Sequence, residues 1–332
     1  MSQSERVVGL GLESSCDETS AAVVIDGKTI ASNKIFSQVD LHSEYYGVVP
    51  EIASRAHLEK INSLIEMSLN GSGIAFSDLN YVAAANRPGL IGSLLIAVQS
   101  AKAISFAMNI PLIGVNHLEA HLYAPFLEGN DPNYPYIGLL VSGGNTALYH
   151  IDGPGRMKLI GKTVDDAVGE AFDKVSKFIG LGYPGGPLVE NLAKKAKIKK
   201  NLFPKILPDP DDTRFSYSGL KTAVVNYIKK NPDYDKSEIV YSFQERALEF
   251  LTRRMFTAAR KSGIKRMIVA GGVAANGRLR EMIEAEKKAD EEILIPSPKL
   301  CTDNAAMIAG ISYQYYIQKN YDSFKLDVNS KV

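Results

Sequence analysis

Apolar positions along this chain change their spacing several times, and each change marks an element. Residues 7–13 form a short apolar run with glycine at positions 9 and 11, which predicts a buried strand. A polar turn over 14–19 leads to a second apolar run at 21–25. Asp26-Gly27 supplies a hairpin turn, and 29–37 continues as a third strand, so the start of the chain predicts a three-stranded meander. Over about 50–69 the period becomes helical, with Ile52, His57, Ile61, Leu64 and Ile65 spaced for one buried face. Residues 81–85 predict a strand, 87–92 a glycine turn, 94–107 a helix, and 111–115 a strand running into another helix.

The order then repeats. Residues 136–142, 146–151 and 157–161 predict strands, joined by turns at Gly143-Gly144-Asn145 and Asp152-Gly153-Pro154-Gly155, and 165–179 a helix. A strand at 266–270 ends in Gly271-Gly272 and opens a helix at about 277–287, followed by a strand at 292–295 and a helix at 304–318. The polar tail from Lys319 is expected to fray. A meander and helix written twice predict an α/β chain of two similar halves.

Composition narrows the class. At 332 residues and 45% hydrophobic the chain can bury a large core in one or two domains. A polar N-terminus and a short apolar run at 7–12 fit neither a secretion signal nor a membrane span. Cys16 and Cys301 cannot build a disulfide framework, so a cytoplasmic protein with two small buried cysteines is expected. The net charge of +1 means that nucleic-acid contact depends on local patches. The densest is Lys194, Lys195, Lys197, Lys199, Lys200 and Lys205, and such a run is most often a solvated helix face.

Candidate chemistry begins at Asn116-His117-Leu118-Glu119-Ala120-His121. On a helix, residues four apart share a face, so His117 and His121 can reach one ion; the same spacing equally fits two helix histidines bonded to nearby carbonyls. Glu119 stands two residues after the first histidine rather than next to it, which disfavours a zincin protease. Asp303 is the best candidate for a third ligand, giving a set that suits iron or zinc. Glycine pairs at Ser142-Gly143-Gly144, Pro184-Gly185-Gly186-Pro187 and Gly271-Gly272 could offer backbone N–H groups to phosphate. Asp173 and Glu190 suit ribose hydroxyls, and Asn276 a base or phosphate edge. They equally fit two surface helix acids and a helix N-cap. The segment 155–163 has five residues between its glycines where a P-loop needs four, and no Gly-x-Gly-x-x-Gly opens a helix after a strand.

Beyond these separate signals, the chain resembles the TsaD family of tRNA threonylcarbamoyladenosine synthesis. The resemblance runs in order through Glu13-Ser14-Ser15-Cys16-Asp17-Glu18-Thr19, Gly47-Val48-Val49-Pro50-Glu51, Asn116 to His121, Leu140-Val141-Ser142-Gly143-Gly144-Asn145-Thr146, Gly169 to Lys174, Tyr183-Pro184-Gly185-Gly186-Pro187, Phe215 to Thr222, Gly271 to Asn276 and Thr302 to Ala306. It implies an actin-like ATPase fold of the sugar kinase and Hsp70 type. Two duplicated RNase H-like subdomains would cover 1–114 plus 304–325 and 115–303, with a nucleotide and metal cleft between them. It implies transfer of a threonylcarbamoyl group from threonylcarbamoyl-AMP to N6 of adenine 37 in tRNAs that read codons beginning with A. A small-molecule kinase or ATP hydrolase of the same fold is the alternative.

By residue, the resemblance implies a divalent metal, iron or zinc, on His117, His121 and Asp303. The adenylate would lie on Leu140, Val141, Ser142, Gly143, Gly144, Asp173, Gly186, Glu190 and Asn276, a site that ATP, ADP or AMP can also occupy. Asp17 and Glu18 are candidates to remove a proton or place the substrate. Expected partners are tRNA, a TsaB-like paralogue and a TsaE-like ATPase, with no membrane; a homodimer is compatible. Three positions depart from the family's pattern: Asn145, Tyr46 and Arg87.

Overall fold

The computed structural model describes residues 6–45, 47–206, 209 and 212–331, so the expectations on Tyr46 and on residues 1–5 lie outside the described residues. In chain order its first elements are β1 (Val8–Glu13), β2 (Glu18–Ile25), β3 (Thr29–Ser37), α1 (Val39–His42), α2 (Pro50–Ser72), β4 (Tyr81–Arg87), α3 (Ile91–Met108), β5 (Leu112–Asn116) and α4 (His117–Tyr123). Then come β6 (Tyr136–Val141), β7 (Thr146–Gly153), β8 (Arg156–Lys162), α5 (Val168–Phe178), α6 (Gly185–Ala193), α7 (Ser218–Lys230), α8 (Lys236–Ser262), β9 (Arg266–Ala270), α9 (Gly277–Glu286), β10 (Glu292–Leu294), α10 (Pro298–Cys301) and α11 (Ala305–Ile317).

Contacts divide the chain into two compact units, Met1–Pro132 with Thr302–Val332, and Asn133–Cys301. In the first, the strand order is β3-β2-β1-β4-β5. The three meander strands pair antiparallel, while β1, β4 and β5 run parallel. Every residue of β1 is buried, as a strand covered on both faces requires. Gly11 explains itself here: a Cβ on it would lie 2.6 Å from the backbone nitrogen of Ala309, so α11 can cross β1 closely only over glycine. The hairpin at Asp26-Gly27 forms with both residues at positive φ, 51° and 68°, as a two-residue turn between twisted strands demands. By length and composition α3 could cross a membrane, but its Leu94, Ala97, Val98 and Ala101 belong to this unit's core and lie under the sheet.

The second unit repeats the plan as β8-β7-β6-β9-β10, with the same antiparallel meander and parallel pair. Its longest helix, α8, puts Phe243, Ala247, Phe250, Leu251 and Met255 into the core. The same helix also buries Gln244, Glu245 and Arg254, so the polar positions that would mark an outer face lie inside and its helical period is blurred in the sequence.

Three expectations are corrected. The boundary expected at 114/115 falls after Pro132, and that expected at 303/304 falls after Cys301, which puts His117, His121 and Asp303 all in the first unit. The cause is pairing: α4 continues directly from β5, an integral strand of the first sheet, and packs on α11. The tail from Lys319 is held rather than frayed. Asp322 bridges to Leu112 and takes the Gly114 amide at 2.8 Å, Asn86 bonds the backbone of Asp327 and Asn329, and Leu326 and Val328 pack on the core. The lysine run is not a helix face, because α6 ends at Ala193 and residues 196–205 are irregular.

Candidate functional site

In the first unit α4 starts at the last residue of β5 without a loop. Asn116 caps it, its side chain accepting the Leu118 amide at 2.9 Å. This start aims His117 and His121 to the same side, with ring centroids 4.6 Å apart. Asp303, just before α11, joins them across 182 residues of sequence: its Oδ1 lies 2.9 Å from His121 Nε2 and 3.6 Å from His117 Nε2. One ligand atom from each of the three lies within 4.8 Å of the others. Two imidazoles and one carboxylate, converging in this way, fit a divalent cation of the iron or zinc type.

The other nitrogen of each ring is treated differently. His117 Nδ1 is 2.9 Å from Glu13 Oε2 and 3.2 Å from Ser15 Oγ, whereas His121 Nδ1 is buried with no hydrogen-bond partner among the described residues. Burial by itself would push the His117 imidazole down, but the carboxylates of Glu13 and Asp303 lift it to about 9. Asp303 is buried too, which would raise it, and the two histidines instead hold it down at about 2. Asp303 and the adjacent Glu13 are thus the acidic groups that hold a positive charge at this place, carried by His117 when the proton is on the ring.

Asp17 and Glu18 lie in the β1–β2 turn beside this triad. Burial, with Asp303 and Asp17 nearby, pushes Glu18 up to about 10. That shift favours the protonated carboxyl, which suits placing a substrate better than removing a proton, the two roles expected for Asp17 and Glu18. Burial and the neighbouring acids likewise raise the Cys16 thiol, which is unreactive in that form. A buried network supports the turn from below: His57 Nε2 donates to the Cys16 carbonyl at 3.1 Å, while its Nδ1 takes the Thr19 hydroxyl at 2.7 Å.

In the second unit the carboxyl ends of the parallel strands β6 and β9 carry the glycine turns. Gly143 and Gly144 are exposed, with open space where a Cβ would stand, and so is the space at Gly186. Other glycines bring the pieces together. A Cβ on Gly169 would press on Ser142 O at 2.7 Å, and one on Gly185 on Asp173 Cα at 2.7 Å. Asp173 Oδ1 accepts the Gly185 amide at 2.6 Å, and burial raises its carboxyl. Glu190 Oε1 accepts the Gly277 amide at 3.2 Å and pairs with Lys194 at 2.9 Å. Leu140 and Val141 are fully buried strand residues, so they can offer a ligand only backbone. Asn276 is the N-cap of α9: it accepts the Leu279 amide at 3.1 Å and donates to Gln244 at 3.1 Å, which commits most of its amide to the fold. Residues 140–144, Asp173, Gly186, Glu190 and Asn276 are thus linked through their neighbours around one end of the second sheet.

Sequence reasoning passed over Glu13, Ser15 and His57 as site residues. A signal existed for Glu13, a carboxylate closing an otherwise apolar strand, but its partner is 104 residues away.

A doubled sheet of this strand order defines a protein of the actin-like ATPase fold. Full-length HypF, solved in its phosphate- and nucleotide-bound form, matches it with a TM-score of 0.63 at 15% identity, covering 95% of this chain and 47% of that one. The particular family comes from sequence. The model described as "TsaD: tRNA N6-adenosine threonylcarbamoyltransferase" matches residues 29–310. A tRNA N6-adenosine threonylcarbamoyltransferase of Clostridium perfringens strain SM101 is 44% identical over 327 residues, 97% of this chain and 96% of its own. Another, from Geotalea daltonii, is 47% identical over 324 residues, 96% and 94% of the two chains. The chain belongs to the TsaD family.

Proposed function

We propose that this chain transfers the threonylcarbamoyl group of threonylcarbamoyl-AMP to N6 of adenine 37 in tRNAs reading codons that begin with A, with release of AMP. The observation that carries this reading is the family match across residues 29–310, which contains all three glycine turns of the second unit, both histidines and Asp303. In the reaction N6 attacks the carbamoyl carbon, the bond from that carbon to the phosphate oxygen breaks, and N6 loses one proton.

The backbone amides of Gly143, Gly144 and Gly186 would bind the phosphate of the adenylate, with open space where a side chain would stand. Asp173 and Glu190 would take the ribose hydroxyls, and the part of Asn276 not used in capping α9 would border the base. His117, His121 and Asp303 would hold the metal, which supplies Lewis-acid polarisation and a template for the threonylcarbamoyl part. Glu18, neutral in its buried turn, would donate a hydrogen bond to the substrate, and Asp17 would receive the N6 proton.

The tRNA would meet Lys195, Lys197, Lys199 and Lys200. In the same run Lys194 is paired with Glu190 and Lys205 with Glu249. A TsaB-like paralogue and a TsaE-like ATPase complete this reading as partners, and a homodimer is compatible with it. The test is a transfer assay with purified protein, synthetic threonylcarbamoyl-AMP and unmodified tRNA, scored by mass spectrometry at adenine 37, with and without the two partners. Modified adenine 37 is the expected result; its absence under both conditions overturns the assignment.

A further inference from the structure

We infer that Glu13 is a positioning residue of the metal centre, fixing the tautomer and orientation of His117 so that Nε2 is the atom presented to the ion. The inference rests on the metal reading of His117, His121 and Asp303 given above. Its basis is the asymmetry between the two rings. His121 has a buried Nδ1 without a partner among the described residues, and the contact of its ring is at Nε2, with Asp303, itself a ligand candidate. His117 has a fully buried carboxylate 2.9 Å from Nδ1.

Glu13 is itself held. Its Oε1 accepts the Ser15 amide at 2.6 Å, which leaves Oε2 for the imidazole. A carboxylate can only accept, so Nδ1 carries a hydrogen whether the ring is charged or neutral, and Nε2 is the nitrogen left to give up its proton and offer a lone pair to an ion. Nε2 lies 3.6 Å from Asp303 Oδ1, where the candidate ligand atoms converge. Geometry at the strand end makes the clamp possible: Glu13 is the last residue of β1, Ser15 opens the turn, and α4 begins at His117 with no intervening loop.

Glu13→Gln separates clamping from mere packing, because it keeps the volume. Its single oxygen would stay on the Ser15 amide, so its NH2 would face Nδ1 and donate to it. The ring would then be driven to the other tautomer, with Nε2–H pointing where the ion should bind. Outer hydrogen-bond partners of metal-bound histidine are typically worth 10- to 100-fold in metal affinity.

The experiment titrates cobalt(II) into the full-length metal-free protein, reading visible absorption and competition with a chelator, for wild type, Glu13→Gln and Asp303→Ala. Wild type should bind one equivalent, Asp303→Ala should bind none, and Glu13→Gln should bind roughly 10- to 100-fold more weakly with unchanged circular dichroism. Affinity of Glu13→Gln within about twofold of wild type overturns the clamp while leaving the metal centre standing. Equal, weak binding by all three proteins overturns the metal reading itself. Should the glutamine variant not fold, the wild-type protein loaded with zinc and labelled with 15N-histidine gives an independent answer. One imidazole N–H, assigned to His117, should be shifted downfield and protected from exchange, and His121 should lack it. Equally fast exchange at both rings rejects the clamp.

Discussion

The turn from β1 to β2 and the turn from β6 to β7 occupy the same place in two sheets of the same strand order, and their chemistry is opposite. The first, Glu13 to Glu18, carries three acids, and its Glu13, Ser14 and Ser15 are buried. The second, Ser142 to Asn145, carries no acid and leaves its two glycines in the open. A buried carboxylate must find a partner, and His117 of the neighbouring α4 supplies one. A backbone amide meant for a phosphate must instead stay bare and reachable. On the proposed reading, one scaffold would serve a cation in one copy and an anion in the other through the side chains of a single turn.

The largest test of this contrast removes a metal ligand. Asp303→Ala should lose its metal, measured by elemental analysis, and transfer to tRNA should fall by more than the roughly 100-fold that an outer partner can cost. A folded variant with near-normal transfer would show that the acidic side serves no metal.

Giving the second turn the character of the first is the next test. In Gly143→Asp the new side chain has open space, so thermal stability should change little. The charge beside the phosphate should cost about 1–2 kcal/mol, roughly a tenfold rise in KM for the adenylate. An unchanged KM would remove the phosphate from that turn.

A smaller effect is expected from pH. Burial holds the His57 imidazole below its ordinary 6.5, against the lifting effect of its bond to the Cys16 carbonyl and of Glu13 and Asp17; His42 adds to the depression. As pH falls below 6.5, the unfolded chain takes up this proton before the folded chain does. Stability from this group is complete above that pH and is lost as pH drops through the depressed folded value. The melting temperature of wild type should therefore fall between pH 7.5 and lower pH more steeply than that of His57→Gln. Parallel curves would show that the network under the acidic turn does not titrate.

Smallest is the tRNA patch. Reversing the charge of Lys195, Lys197, Lys199 and Lys200 together should weaken tRNA binding several-fold and flatten its salt dependence, while binding of the adenylate is unchanged. An unaltered salt slope would return these lysines to ordinary surface.

Local pattern carried much of this protein. Strand and helix periods, the Asp26-Gly27 hairpin, the doubled meander and the four-residue spacing of His117 and His121 all depend on neighbours in sequence, so they can be read there. Motif order carried the family. What the period could not reveal was α8, whose polar residues are buried along with its apolar ones. The tail from Lys319 was equally hidden, because polar composition does not show that its Asp322 will accept the Gly114 amide or that Asn86 will donate to the Asp327 carbonyl.

Only the tertiary structure decided that β5 carries α4 into the first unit, that Glu13 meets His117, and that Asn276 donates its amide to Gln244 of α8. The physical reason is common to all three. A chain's periodicity fixes which face of an element is buried, whereas the partner of a buried charge or amide is chosen by sheet order and helix crossing, which join residues a hundred or more positions apart as readily as adjacent ones.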